Sequence, residues 1–147
     1  MHLEIRRATA EDTPRARAFY AERGYNGGIT PQDTVLIAER DGDLVGVVRL
    51  APEEGTIVLR GMQVHPAVQR QGIGNQLLAA IVRELGSSEC FCCPYAHLVG
   101  FYGGIGFKVM DLADAPDFLR SRVRGYQQRG DGKEYLLMHR EGVEAAV

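Results

Sequence analysis

Val64-His65-Pro66-Ala67-Val68-Gln69-Arg70-Gln71-Gly72-Ile73-Gly74-Asn75-Gln76-Leu77-Leu78 leads from an apolar, β-branched segment through a proline and two glycines into an amphipathic run. After Gly72 the apolar residues Ile73, Leu77, Leu78, Ile81, Val82 and Leu85 recur at helical spacing and Gly86 supplies a stop, so a helix is predicted from Gly72 to Leu85. Before it, Thr56 to Val64 reads as a strand that Pro66 ends. A strand, a short glycine loop and a helix in succession gather unpaired N–H groups and the positive end of a helix dipole at one point, which suits a pyrophosphate. Gly72 and Gly74 remove side chains where an anion would approach the backbone, and Arg70 can add a full charge. The same glycines also fit a purely steric strand-to-helix turn.

Working outward, Leu3 to Arg6 alternates like a strand, and Thr9 can cap a helix that buries Ala16, Phe19 and Tyr20 and stops near Gly24. Tyr25 to Pro31 reads as a loop and a wall for a second substrate. Thr34 to Glu39 and Leu44 to Leu50 flank Asp41-Gly42-Asp43, the pattern of a hairpin, and a second turn is expected over Pro52 to Gly55. Beyond Gly86 the expected order is a strand at Glu89 to Cys93, a short helix at Tyr95 to Gly103 and a strand at Phe107 to Met110. A helix should start at Asp114-Ala115-Pro116 and end near Gly130, with a last strand at Glu134 to His139. The pieces form an α/β unit of meandering strands followed by strand-helix-strand crossovers.

The chain has 147 residues, 45% of them hydrophobic, enough for one core, so a single domain over residues 1–147 is expected. A net charge of -2 with both signs interspersed gives no reason to expect nucleic acid as a partner. No apolar run reaches the roughly 20 residues that span a bilayer, and the first residues lack the apolar stretch of a signal peptide, so no membrane partner and a cytoplasmic location are expected. The last strand can pair or exchange with a second copy, which makes a homodimer a further expectation.

The run from Val64 to Leu78 closely resembles the acetyl-CoA signature of the GNAT superfamily of N-acetyltransferases, whose core pattern Gln/Arg-x-x-Gly-x-Gly/Ala is met by Gln69 to Gly74. Some thirty residues on, Phe101-Tyr102-Gly103-Gly104-Ile105-Gly106-Phe107 is similar to the aromatic-Tyr-x-x-x-Gly-Phe segment of the same family. The resemblance covers nearly the whole chain. It implies a mixed, mostly antiparallel central sheet of six to seven strands with helices on both faces. It also implies transfer of acetyl from acetyl-CoA, as cosubstrate, to the amine of a small molecule or peptide. By the same resemblance Met62, Gln63 and Val64 present backbone groups to the pantetheine arm, and Arg70, Gln71, Gly72, Ile73, Gly74 and Asn75 hold the pyrophosphate. Tyr102 is then the acid that protonates the leaving thiolate. A tyrosine packed on an amphipathic helix is the plain alternative.

The sequence departs from the family where some members place a glutamate base, at Cys90, and where the family has an asparagine, at Tyr95. His65, His97, Glu53 and Glu54 are replacements by residue type, and a water chain is another. These departures leave room for a second function, an acyl-CoA-binding or sensing module of the same fold with weak turnover. Cys90, Cys92 and Cys93 read as small residues filling a strand, since neighbouring strand positions face opposite ways and make a poor metal site, and no metal is expected. Arg49 and Arg60 stand in otherwise apolar strands, either facing solvent at a sheet edge or reading a carboxylate on the acceptor. A Lys-Ser/Thr P-loop ending and a three-glycine dinucleotide pattern are both absent from the sequence.

Overall fold

The computed structural model describes residues His2–Val143, and the chain falls into two units, residues 1–86 and 87–147. In the first, β1 (Leu3–Arg7), β2 (Thr34–Arg40), β3 (Asp43–Glu53) and β4 (Thr56–Val64) form an antiparallel meander in sequence order. Each hairpin turns on two residues of positive φ, Asp41 and Gly42 between β2 and β3, Glu54 and Gly55 between β3 and β4. This geometry matches the twist of paired strands. The second turn is therefore tighter than expected: Pro52 and Glu53 are paired with Ile57 and Thr56. Pro52 is tolerated because β2 ends its pairing at Leu50, so no partner needs an N–H from Pro52 on that side.

Strand alternation sorts the unit's helices. Ile37 and Val47, opposite each other in register, pack with Ala16, Phe19 and Tyr20 of α1 (Thr13–Glu22). The next pair, Ala38 and Gly46, faces the other way, and a Cβ on Gly46 would stand 3.0 Å from Leu77 and 3.4 Å from Ile73 of α2 (Ile73–Leu85). The two helices thus cover opposite faces of this meander, and Gly46 lets α2 come close.

A charged network ties the start of α1 to the strands. Asp12 accepts from Arg6 at 2.8 and 3.1 Å and from the Thr9 amide at 2.7 Å, while Glu39 takes Arg6 at 2.8 Å and Arg15 at 3.1 Å. Chiefly through its hydrogen bonds to Arg6, the Asp12 carboxyl is held well below the usual carboxylate range. Its folded pKa is depressed, so this contribution is complete above the unfolded value of about 3.9 and is lost as pH falls toward the folded one. Asp12→Asn is expected to lower the unfolding free energy at pH 7 by about 1–3 kcal/mol. In urea titrations the gap from the parent should narrow as pH drops below about 4.

The second unit contains β5 (Cys90–Cys92), α3 (Val99–Gly103), β6 (Lys108–Val109), α4 (Asp117–Gln127) and β7 (Met138–Arg140). β7 is antiparallel to both β5 and β6 and lies between them, so β5 and β6 run parallel with the last strand inserted. A second copy cannot pair with β7 without displacing a neighbour; the open edge belongs to β6. Several boundaries differ from the sequence reading: β5 is shorter at both ends, and α3 begins only at Val99 because residues 96–98 form a separate 3-10 turn. β7 begins at Met138, since Tyr135 makes only an isolated bridge to Tyr95, where Pro94 has no N–H to extend a ladder. β6 shrinks to two exposed residues. α4 begins at Asp117 with Pro116 as its cap residue, because residues 112–114 form a separate 3-10 turn capped by Asp111. Arg120 locks that arrangement through the carbonyls of Leu112 and Ala115, at 2.8 and 2.9 Å. The described residues form seven strands and four α-helices, and the strand pairs within each unit are antiparallel.

Candidate functional site

The loop from Gln69 to Gly72 is built by backbone conformation and pinned by two side chains. Arg70 (φ 67°) and Gly72 (φ 84°) are both left-handed. No atom lies within 4 Å of where a Gly72 Cβ would stand, so the left-handed φ and not crowding by neighbours demands glycine here, as a plain strand-to-helix turn also would. Gln69 Nε2 donates to the Val64 carbonyl at 3.1 Å, and Arg40 donates to Gln71 Oε1 at 2.7 Å. The loop is thereby tied to the ends of β4 and β2. Gly72 offers no side-chain cap to α2, and the intrahelical bonding starts with the Gln76 N–H on the Gly72 carbonyl at 3.1 Å. The N–H groups of Ile73, Gly74 and Asn75 accordingly have no acceptor within the helix. The Ile73 side chain is buried, whereas Arg70, Gln71, Gly72 and Asn75 are exposed. A row of uncapped donors at the positive end of a thirteen-residue helix, beside the exposed Arg70, Gln71, Gly72 and Asn75, fits a pyrophosphate.

Met62, Gln63 and Val64 precede this loop in sequence, Met62 within a β-bulge and the other two directly after it. Val47 pairs with Gln63 and Arg49 with Arg60, leaving Gly61 and Met62 opposite Val48 alone. Gly61 has φ 66°, and a Cβ there would stand 2.4 Å from the Tyr20 hydroxyl. Bulges re-aim the strand that follows them. An isolated glycine inside a β-branched strand was the signal for this feature.

Behind the bulge lies a buried polar cluster. Arg49 is fully buried, which rules out the solvent-facing reading of this residue. Its Nε stands 3.4 Å from the Asp33 carboxylate, within ion-pairing distance but outside hydrogen-bond geometry, and Nη2 donates to the Tyr25 hydroxyl over a long 3.3 Å. Nη1 has no partner, nor does the Tyr20 hydroxyl. Burial pushes the Tyr20 phenol up, so it stays protonated and remains a donor. Arg60, directly opposite Arg49, is partly exposed and lies 3.7 Å from Glu53. Of this group the sequence pointed to the two arginines and to the loop from Tyr25 to Asp33, and missed Tyr20 and Gly61 as residues of the site.

In the second unit Tyr102 is buried on α3, its ring edge-on to Phe101 at 5.0 Å and to Phe107 at 6.1 Å. Tyr95 stacks on His97 and tilts against Tyr135, so an aromatic cluster occupies the position of the family's asparagine. Cys90 and Cys92 are buried and no cysteine is in a disulfide. Burial pushes the Cys92 thiol up, which opposes a thiolate nucleophile. Among the described residues no three His, Cys, Asp or Glu side chains converge to hold a metal. Of the groups considered as a base, His65 uses Nδ1 to accept the Ala67 N–H at 3.1 Å, Glu53 faces Arg60, His97 is exposed and Glu54 sits in the hairpin turn.

The model of the acetyltransferase (GNAT) domain matches residues 31–109. The chain belongs to the GNAT family. It is 30% identical over 110 residues to the mycothiol acetyltransferase of Stackebrandtia nassauensis, an alignment covering 70% of this chain and 34% of that protein. The aligned region is thus about a third of that relative's length. Among solved structures it is similar to the ribosomal-protein-S18-alanine N-acetyltransferase of Escherichia coli, with TM-score 0.73, 17% identity and coverage of 99% and 97% of the two chains. The N-acetylglutamate synthase of Neisseria gonorrhoeae, complexed with coenzyme A and N-acetyl-glutamate, aligns with TM-score 0.68 and 22% identity over 98% of this chain and 36% of that one. At these identities the structural likeness shows the fold, which is the GNAT fold expected from the sequence. No helix among the described residues is long and apolar enough to cross a membrane.

Proposed function

We propose that this chain is an N-acetyltransferase, one domain over residues 1–147, that moves acetyl from acetyl-CoA to a primary amine. The observation carrying the reading is the pinned loop at Arg70 and Gly72, which leaves the first N–H groups of α2 uncapped in a chain of the GNAT family. Acetyl-CoA supplies an acyl group activated as a thioester. Arg70, Gln71, Gly72, Ile73, Gly74 and Asn75 hold its pyrophosphate, mainly through the main chain, and Met62, Gln63 and Val64 present backbone groups to the pantetheine arm. The amine nitrogen bonds to the acyl carbon as the carbon–sulfur bond breaks, Tyr102 gives a proton to the thiolate, and water takes the proton lost by the amine. Three cysteines outside any disulfide are in keeping with a cytoplasmic location.

Calorimetry with acetyl-CoA and a thiol-release assay over a panel of amines test this. Heat on binding and amine-dependent release are expected. Binding without release to any amine would favour the acyl-CoA sensing module instead, and no binding at all ends both readings. Gly72→Ala should raise the acetyl-CoA Kd about 5- to 30-fold, because a left-handed L-residue costs about 1–2 kcal/mol and the loop escapes that strain by leaving its binding shape. Gly72→Asn, which tolerates this conformation better, should lose less.

A further inference from the structure

We infer that Arg49 and Tyr20 form the receptor for a carboxylate on the acceptor, so that the amine acetylated is that of a free amino acid or a similar small amino carboxylate. The inference rests on the transferase reading and adds the substrate class. Three polar atoms here are buried without a hydrogen bond, Arg49 Nε, Arg49 Nη1 and the Tyr20 hydroxyl. Leaving buried donors unmade is costly, and most so for a charged group. All three are donors, so what completes them must accept hydrogen bonds, and the flat fork of a guanidinium matches a carboxylate in a bidentate way.

The charge already present does not complete the site. Asp33, the counter-ion, spends its oxygens on the Thr30 amide at 3.0 Å and the Thr30 hydroxyl at 2.9 Å, and reaches only the Nε side of Arg49. The Nη edge is covered by Tyr25, whose hydroxyl makes the single long bond and whose ring packs on Tyr20 at 4.6 Å. Tyr25 is half-buried and follows Gly24 in a segment without regular structure that also holds Gly27 and Gly28. Displacing the Tyr25 side chain exposes the Nη edge for a carboxylate to take its place. The receptor also lies beside the acyl donor's expected path, since the Tyr20 hydroxyl approaches Gly61, the residue before Met62.

The test is a comparison of L-alanine, L-leucine, L-phenylalanine and L-glutamate with their α-carboxamides, which also stand for peptide N-termini. Thiol release should favour at least one acid over its amide by about tenfold or more in kcat/KM, as a site built to bond a group rejects the analogue lacking it. Tyr20→Phe removes only an unpartnered hydroxyl and should fold. It and Arg49→Gln should shrink that ratio at least several-fold, through the acceptor KM, while the acetyl-CoA KM stays within about twofold of the parent. Equal rates for acids and amides, or a ratio untouched in folded Tyr20→Phe, overturn the inference while leaving the transferase reading in place. If no amine is turned over, calorimetry of the same pairs on the CoA-loaded protein decides. Heat from an acid that vanishes in Tyr20→Phe supports the receptor, and no heat from any acid overturns it. Failure of acetyl-CoA to bind is a separate result that strikes the transferase reading.

Discussion

Replacing Tyr102 by phenylalanine is expected to lower kcat about 10²- to 10⁴-fold, the range for loss of a positioned proton donor, with the acetyl-CoA KM nearly unchanged. The thiolate formed when the thioester breaks is stabilised by a proton in the transition state and not before, so a missing phenol shows in turnover rather than in binding. The substitution isolates that role well. The ring of residue 102 is buried edge-on to Phe101 and Phe107, and its carbonyl accepts the N–H groups of Ile105 and Phe107, all of which phenylalanine keeps. Loss of the hydroxyl should cost about 1 kcal/mol of stability. A tyrosine present only for packing would leave kcat within about twofold, an outcome that would return the proton to water.

The parts of the fold that could be read from sequence are those fixed by neighbours along the chain. The apolar period of α2, its glycine ends and the Asp41-Gly42 turn each specify local geometry, and each appears where expected. What escaped depends on partners farther along the chain, on a missing donor, or on a competing cap nearby. Pro94 cuts short the pairing that would have started β7 at Glu134, and Asp111 captures the cap that had been given to Asp114. The same division holds in the candidate site. Glycine spacing announced the loop at Gly72, but its anchors, Gln69 on Val64 and Arg40 on Gln71, are contacts that spacing does not announce. Arg49 stood out as a charge in an apolar strand. Whether it was solvated or buried turned on Tyr20, Tyr25 and Asp33, which reach it from α1 and from the loop that follows.

Asp33→Ala is expected to lower the unfolding free energy by about 3–5 kcal/mol, because it strands a fully buried guanidinium. Neither partner sees appreciable solvent, the side chains of Arg49 and Asp33 being 0% and 2% exposed. The aromatic rings do not replace the lost charge: the Arg49 guanidinium carbon lies 6.0 Å from the Tyr20 centroid and 5.8 Å from that of Tyr25, at the outer limit of useful cation–π contact. Asp117→Ala is the control, since it removes an equally charged partner of Arg120 from a position 96% exposed, where about 0–1 kcal/mol is at stake. Urea midpoints at constant slope measure both. Adding Arg49→Met to Asp33→Ala should recover much of the loss, since an apolar side chain needs no counter-ion, and that recovery separates a stranded charge from mere loosening of the Thr30 turn. A loss of no more than about 1 kcal/mol for Asp33→Ala would mean that water reaches Arg49 freely, and a guanidinium already solvated would gain little from an acceptor's carboxylate.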